Sequence, residues 1–301
     1  MGSIDLTALE IFKAVAEQGG VTRAAARLHR VQSNVTTRVK QLEERLGTKL
    51  FLRQKRRLVL SAEGRLLLGY ADRLLHLSSE AEAALRDGAP RGLLRIGALE
   101  SAAATRLPPI LSRYHRAYPD VRIELTTGTT ARLIAQVMSH EVEAAFVAEP
   151  FTASDLDAEP VWSEELVLIT PRRFAKVRTP GDIGHATLIA FASGCAYRRR
   201  LEAWLGSGRV APERVLEFGS YHAIVACVAA GAGIAIVPRS VVRVSRVDDT
   251  VAVHALPAAV ARARTFLVRR PGHRSIALDA MQAMLRRGAV TRVARPRSTH
   301  G

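Results

Sequence analysis

The sequence predicts an α/β chain in three parts: an α-rich head over residues 1–61, a single long helix over 62–88, and a two-lobed domain over 89–301. Three observations predict it. Val21 to Leu46 divides into two short amphipathic helices joined by a tight turn. Leu67, Tyr70, Leu74, Leu77, Ala81 and Ala84 repeat at 3-4-3-4-3. From Leu93 onward, apolar runs of strand length alternate with helical patterns.

The totals narrow the partners. There are 44 Lys/Arg against 28 Asp/Glu, a formal charge of +16. That balance selects a polyanion, nucleic acid before an anionic membrane surface. Residues 1–65 hold 13 Lys/Arg against 6 Asp/Glu, while residues 66–90 hold 2 against 4, so the head is basic and the linker is not. A hydrophobic content of 48% with 24% charged residues is that of a globular chain. Asp5, Glu10 and Lys13 interrupt Ile4 to Val15, unlike a signal peptide. The uncharged stretch Ser220 to Pro238 is broken by Gly231 and Gly233 and is too short to span a membrane. Cys195 and Cys227 supply neither a disulfide framework nor zinc-ligand spacing. A cytoplasmic protein with no membrane partner, metal or cofactor is expected.

In chain order, Leu6, Leu9, Phe12, Val15 and Ala16 mark a first helix closed by Gly19-Gly20. Ala24, Ala25 and Leu28 share one face of a second helix. After a break at 29–31, Val35, Val39, Leu42 and Leu46 recur at i, i+4, i+7 and i+11 on a third. This is the spacing of a helix-turn-helix. The other side of the third helix carries Gln32, Ser33, Asn34, Thr36, Thr37, Arg38 and Lys40, groups that reach base edges and phosphates. An ordinary amphipathic pair would more often carry Glu/Lys pairs there. Leu50 to Leu52 and Leu58 to Leu60 then flank Arg53-Gln54-Lys55-Arg56-Arg57, a hairpin with a basic tip suited to the phosphate backbone. The helix that follows, ~26 residues at ~1.5 Å each, is ~39 Å long and cannot bury its own stripe. Its a/d spacing predicts a dimer seam, with packing on the chain's own body as the alternative. Residues 88–92 make a hinge.

Beyond the hinge the pattern predicts strands at Leu93–Ala98, Val121–Thr126 and Ala144–Ala148, with helices at Ala102–Tyr118 and Thr130–Ser139 between them. Val161–Thr170 extends the set. Thr187–Phe191 opens a second set, through helix Arg198–Leu205, strand Val215–Phe218, helix Tyr221–Ala230 and strand Ile234–Val237. Thr265–Val268 returns to the first, before a last helix at Ile276–Arg286. Parallel sheets are expected, in lobe I (92–161 and 266–290) and lobe II (162–265), with a ligand cleft between them where strand ends meet helix N-termini.

With these elements placed, residues 5–64 resemble the winged helix-turn-helix of LysR-type transcriptional regulators. The remainder resembles their two-lobed, periplasmic-binding-protein-like effector domain. The most specific stretches are TRAAARLHRVQSNVTTRVKQLEERLGTKLF and CVAAGAGIAIVP; LESAAA and SGCAYRRRLEAWL are similar to the branch containing a putrescine-utilisation regulator. The resemblance implies a cytoplasmic regulator, a homodimer or homotetramer on an interrupted palindrome of double-stranded DNA, allosterically controlled by a small-molecule effector and acting with RNA polymerase. One position departs: the family commonly has Ser before the Gln that starts the recognition helix, where Val31 stands here.

Carried onto matching positions, DNA contact falls to Thr22, Arg30, Gln32, Ser33, Asn34, Thr36, Thr37 and Arg38, with Arg53, Arg56 and Arg57 on the wing. Thr22 is expected to cap its helix, and Ser33 is a substitute cap for the next. Effector contact falls to Glu100 and Ser101; to Thr127, Gly128, Thr129 and Thr130; to Ala148 and Glu149; to Ser193, Gly194, Cys195 and Tyr197; and to Ser220, Tyr221 and His222. Helix N-termini favour a carboxylate. Glu100 and Glu149 argue instead for an amine such as a diamine, or an amino acid. Cys195 precedes three arginines, an environment that would lower a thiol pKa and permit a redox sensor; a ligand-pocket or structural thiol is the other reading. Enzyme motifs are missing: Gly231-Ala-Gly233 lacks the third glycine of a dinucleotide fingerprint, and no P-loop, HExxH or GxSxG is present. A solute-binding protein would lack the basic head.

Overall fold

The computed structural model describes residues 4–54, 57–85, 89–152, 154–174, 176–246, 250–273 and 275–293. The chain divides into two compact units, Met1–Gly88 and Ala89–Gly301.

In the first unit, α1 (Leu6–Gln18), α2 (Val21–Arg27) and α3 (Gln32–Leu46) precede β1 (Phe51–Gln54), β2 (Arg57–Leu60) and α4 (Ala62–Leu85). Each break has a local cause. Asp5 accepts the N–H of Thr7 to start α1, and Gly19 ends it at φ 61°, in the left-handed region open to glycine. Ile11, Val15, Ala24, Ala25, Val35 and Val39 form one core of the three helices. Leu9, Phe12, Leu42, Leu50, Leu67 and Ala71 form a second. The wing is fixed to α3 by the buried Glu43, whose carboxylate accepts Leu50 N–H at 2.9 Å, Phe51 N–H at 3.3 Å and Lys49 Nζ at 2.8 Å. Burial acts to raise its pKa, but Lys49 and the two N–H groups outweigh burial and hold it below the usual carboxylate range. β1 and β2 pair antiparallel, Phe51 opposite Leu60 and Gln54 opposite Arg57. Lys55 and Arg56 lie outside the described residues, as does the side chain of Arg57.

The repeat on α4 is divided between two uses. Leu67 is 9% exposed and packs with Leu9, Phe12 and Leu42, so it belongs to the head's core and not to a dimer seam. The early turns of α4 lie against α1, which the repeat alone does not reveal. Leu66, Tyr70, Leu74 and Leu77 are exposed. The exposed stripe therefore starts at Leu66 and passes through Tyr70, Leu74 and Leu77 to the exposed Ala81. The side chain of Ala84 lies outside the described residues.

The second unit opens with β3 (Gly92–Ala98), α5 (Glu100–Thr105), α6 (Pro108–Ala117), β4 (Val121–Thr127), α7 (Thr130–Met138), β5 (Ala144–Ala148) and β6 (Asp157–Pro171). A 3-10 turn (Pro180–Ile183), β7 (Leu188–Ala190), α8 (Ala196–Ser207), β8 (Val215–Glu217) and α9 (Tyr221–Ala229) follow. β9 (Ala235–Pro238), α10 (Arg239–Ser245), β10 (Val251–Ala255), α11 (Ala258–Ala261), β11 (Arg262–Arg269) and α12 (Ile276–Val293) complete it. Parallel pairing holds where strand and helix alternate: β3 with β4 and β5, and β7 with β8. The sheets are nevertheless mixed. β6 runs antiparallel to β11 as far as Glu165, then antiparallel to β9 and β10 from Leu166 onward. One 15-residue strand thus serves both lobes, and the crossing falls at Glu165–Leu166, with the return at Arg262. A returning strand that enters from the far lobe must pair antiparallel, which the alternation pattern does not announce.

Two further differences have simple causes. The helix expected over 102–118 is two, α5 and α6, because Pro108 and Pro109 lack the N–H groups to continue α5. β10 has no counterpart in the strand pattern read from the sequence; it is only five residues long, and its Val251 and His254 are buried against β6 and its surroundings.

Candidate DNA-contact face and effector cleft

In the first unit, Val35 and Val39 turn inward, which leaves Gln32, Ser33, Asn34, Thr36, Thr37 and Arg38 exposed together on α3. Arg30 and Arg53 are exposed as well, and no described carboxylate pairs with Arg30, Arg38 or Arg53. The hydroxyl of Thr22 donates to Gln32 Oε1 at 3.3 Å. Thr22 is therefore not a helix cap, since Gly20 holds the cap position of α2 and makes no side-chain cap bond; Thr22 restrains the side chain at the head of α3. Ser33 does not supply a cap either: α3 begins at Val31 with no side-chain cap bond. Thr36 spends its hydroxyl on the carbonyl of Gln32 at 2.9 Å, so it presents mainly its methyl group outward.

In the second unit, the first turns of four helices meet around a partly open cleft, with about 260 Å³ of empty space counting its open mouth. Glu100, Gly128, Thr129 and Ala148 line it from one lobe, and Cys195, Tyr197 and Tyr221 from the other. Sequence reasoning missed Leu99 and Phe191, which also face it, as does Ala196 within the expected stretch 193–197. Phe191 and Tyr221 meet edge-on at 4.8 Å. Phe191 was legible only as the end of a strand, and Leu99 only as a helix-start residue without chemistry. Ser101 is buried behind the wall, and Thr130 bridges to Ala148 through its hydroxyl at 3.2 Å. Thr127, Ser193 and His222 are exposed and outside the lining. Ser220 caps α9 by accepting His222 N–H at 3.1 Å.

The lobes touch at Gly194. Its carbonyl accepts Ala131 N–H at 3.3 Å, and at φ +90° an added Cβ would lie 2.8 Å from the Ala131 Cβ. Only glycine permits that approach.

The two acidic candidates differ sharply. Glu149 accepts from Arg264 at backbone N (3.2 Å), Nε (3.0 Å) and Nη2 (2.9 Å), and from Arg200 Nη2 at 3.3 Å. Burial raises its pKa, but these arginines prevail and lower it. Its charge is neutralised within the chain and does not face the cleft. Among the described residues no cation pairs with Glu100. One oxygen faces the N–H of Tyr221, while Oε2 is buried without a hydrogen-bond partner. Burial holds this carboxyl above its ordinary range, offset only in part by Tyr221.

Cys195 departs from the redox expectation and matches the other reading, a buried thiol in the cleft wall. It is 6% exposed, and burial pushes its thiol up despite the neighbouring N–H groups of Arg198 and Tyr197 and the charges of Arg198 and Arg199. Those arginines are turned to other partners: Arg198 to Glu202 and Glu217, Arg199 to the Pro150 carbonyl, Arg200 to Glu149. A low-pKa, accessible thiol is not what the fold builds.

A helix-turn-helix head with a wing, combined with a two-lobed domain enclosing a cleft, defines a DNA-binding regulator governed by a small molecule. Residues 6–65 match the family model for bacterial regulatory helix-turn-helix proteins of the lysR family, and residues 87–289 match that for the LysR substrate binding domain. The chain belongs to the LysR family of transcriptional regulators. It is similar to the HTH-type transcriptional regulators YusT (39% identical, 90% of this chain and 91% of that protein) and GltR (36%, 89% and 90%) of Bacillus subtilis. Among solved structures it is similar in fold to full-length CbnR complexed with its target DNA, at 24% identity, covering 94% of this chain and 99% of that one, with a TM-score of 0.68. Among the described residues no helix is long and apolar enough to cross a membrane.

Proposed function

We propose that α3 reads DNA sequence in the major groove while the wing fixes position on the backbone. Gln32 and Asn34 have the donor–acceptor pair for adenine, and Arg38 and Arg53 the charge for phosphate. The exposed polar face of α3 is the observation that supports this reading. Two such heads, joined through Leu66, Tyr70, Leu74 and Leu77 of α4, read an interrupted palindrome as a dimer or dimer of dimers. The cleft of the second unit holds a small-molecule effector, and ligand binding shifts an equilibrium between assembly states that present the heads differently.

The test is binding of the full-length chain to its own upstream intergenic DNA across a salt titration. Gln32→Ala should lose about 1–3 kcal/mol of discrimination at one base pair and keep the salt slope. Arg53→Ala should weaken all DNA alike and flatten the slope by about 0.9 for each phosphate left without its cation. Equal behaviour of the two variants would overturn the assignment of helix and wing.

A further inference from the structure

We infer that the cleft takes a small zwitterion of the amino-acid type, with its ammonium on Glu100 and its carboxylate at the first turn of α8. This rests on the cleft being the effector site. The charge inventory is short: of the lining residues, Glu100 alone is ionisable to an anion at neutral pH, and no Lys, Arg or His faces the cavity. Its buried Oε2 lacks a partner, and a buried carboxylate oxygen without a donor is the complement of a cation. Phe191 and Tyr221 add aromatic faces to the same wall, which suit an ammonium group.

The carboxylate end follows from comparing the helix starts around the cleft. α5 begins with Glu100 itself, which repels an anion. α7 is capped by Thr129, which accepts Arg132 N–H at 3.4 Å, and α9 is capped by Ser220 and faces Glu100 as well. The 12-residue α8 has no oxygen at its start: Cys195 stands at the cap position and makes no cap bond. Its sulfur lies against the N–H groups of Tyr197 and Arg198. A thiol is a weak acceptor, so these donors are the ones a ligand carboxylate would satisfy. In the same turn Tyr197 is 2% exposed and its hydroxyl, although near Ser101 and Thr265, has no hydrogen bond of ordinary geometry. A diamine fits poorly. Glu149 is already held by Arg264 and Arg200, so a second ammonium would meet helix N-termini, the positive ends of their dipoles.

The experiment is thermal shift and calorimetry on the full-length chain with matched triplets: each common amino acid, its decarboxylated amine and its deaminated acid. One amino acid should bind, both truncated analogues should bind at least ten-fold more weakly, and Glu100→Gln should lose a similar factor. A diamine or a simple carboxylate binding best, with loss of binding in the cleft-filling Gly128→Leu, would overturn the zwitterion while leaving the effector site in place. Silence from every compound, with Gly128→Leu regulating like the wild type, would overturn both.

On the DNA side, Val31 carries a separate inference: the structure assigns it to a thymine methyl group. Val31 stands at the cap position of α3 and is 72% exposed, the most exposed large apolar residue described. A Ser, Thr, Asn or Asp there would satisfy an N–H that Val31 leaves open. Its neighbours Arg30, Gln32 and Asn34 are all exposed polar groups, so the apolar spot sits inside the reading face and not beside it. The one apolar feature of the major groove is the thymine C5-methyl.

A site selected from a random DNA pool by the full-length protein, resynthesised with deoxyuridine for thymine one position at a time, tests this directly. One thymine per half-site should lose about three- to five-fold in affinity on demethylation, the scale of one buried methyl. That loss should vanish in Val31→Ala. Equal sensitivity of both proteins at every thymine would overturn the assignment.

Discussion

Glu100 and Glu149 follow β3 and β5, neighbouring parallel strands of one sheet, yet their fates are opposite. Glu149 is met by Arg264 from the adjacent strand and Arg200 from α8, so its half-buried charge is compensated and its pKa lowered. Among the described residues Glu100 meets the N–H of Tyr221 alone and keeps one oxygen unsatisfied, so burial raises its pKa. The first ties the lobes together as structure; the second leaves unfinished chemistry inside a cavity. A carboxylate's role here is set by what its neighbours leave undone, not by its place after a strand.

Four changes would break or sharpen that contrast. Both tryptophans, Trp162 and Trp204, lie in the second unit, so tryptophan fluorescence during urea unfolding reports on it. Glu149→Ala should lower its stability by about 2 kcal/mol, because Arg200, largely buried, loses its charged partner. Glu100→Gln should act with the opposite sign and raise stability by up to about 1 kcal/mol at neutral pH, since it removes an uncompensated charge. Loss of stability in both would show that Glu100 is structural too.

The pH dependence follows from the directions of the shifts. Glu149 has a lowered folded pKa, so its contribution is present above the unfolded value and is lost as pH falls through the folded one. Glu100 has a raised folded pKa; the native state holds its proton longer, and stability falls as pH rises from the unfolded value through the folded one. The advantage of Glu100→Gln over the wild type should therefore shrink on acidification, followed as the urea midpoint from neutral pH downward. A constant gap would place Glu100 in water. The smallest effect is expected from Cys195→Ser, which gives α8 an oxygen cap: about 0.5 kcal/mol of added stability, with weaker binding of the zwitterion. Unchanged ligand affinity would remove α8 from the site.

How much of this was legible beforehand depended on the kind of signal. The reading helix was visible because Val35 and Val39 repeat at helical spacing, and whatever lies between them must face water. The strand–helix alternation likewise located the cleft at the strand ends. The a/d repeat misled at Leu67, since periodicity says that a face is apolar and not what covers it. The cations near Cys195 misled similarly: three arginines adjacent in sequence fan out around a helix to three different sets of carbonyls and carboxylates.

The sequence by itself determined the head, the linker and the two-lobed plan, because periodicity, turn residues and local charge act over a few neighbours. Only the tertiary structure decided which carboxylate is silent and which is open, that β6 serves both lobes, and that the start of α8 faces the cleft without an oxygen cap. Those depend on groups far apart in the chain: Glu149 and Arg264 are separated by 115 positions. No pattern in a linear sequence reports which arginine will reach a given carboxylate, since that is settled by packing once the strands have paired.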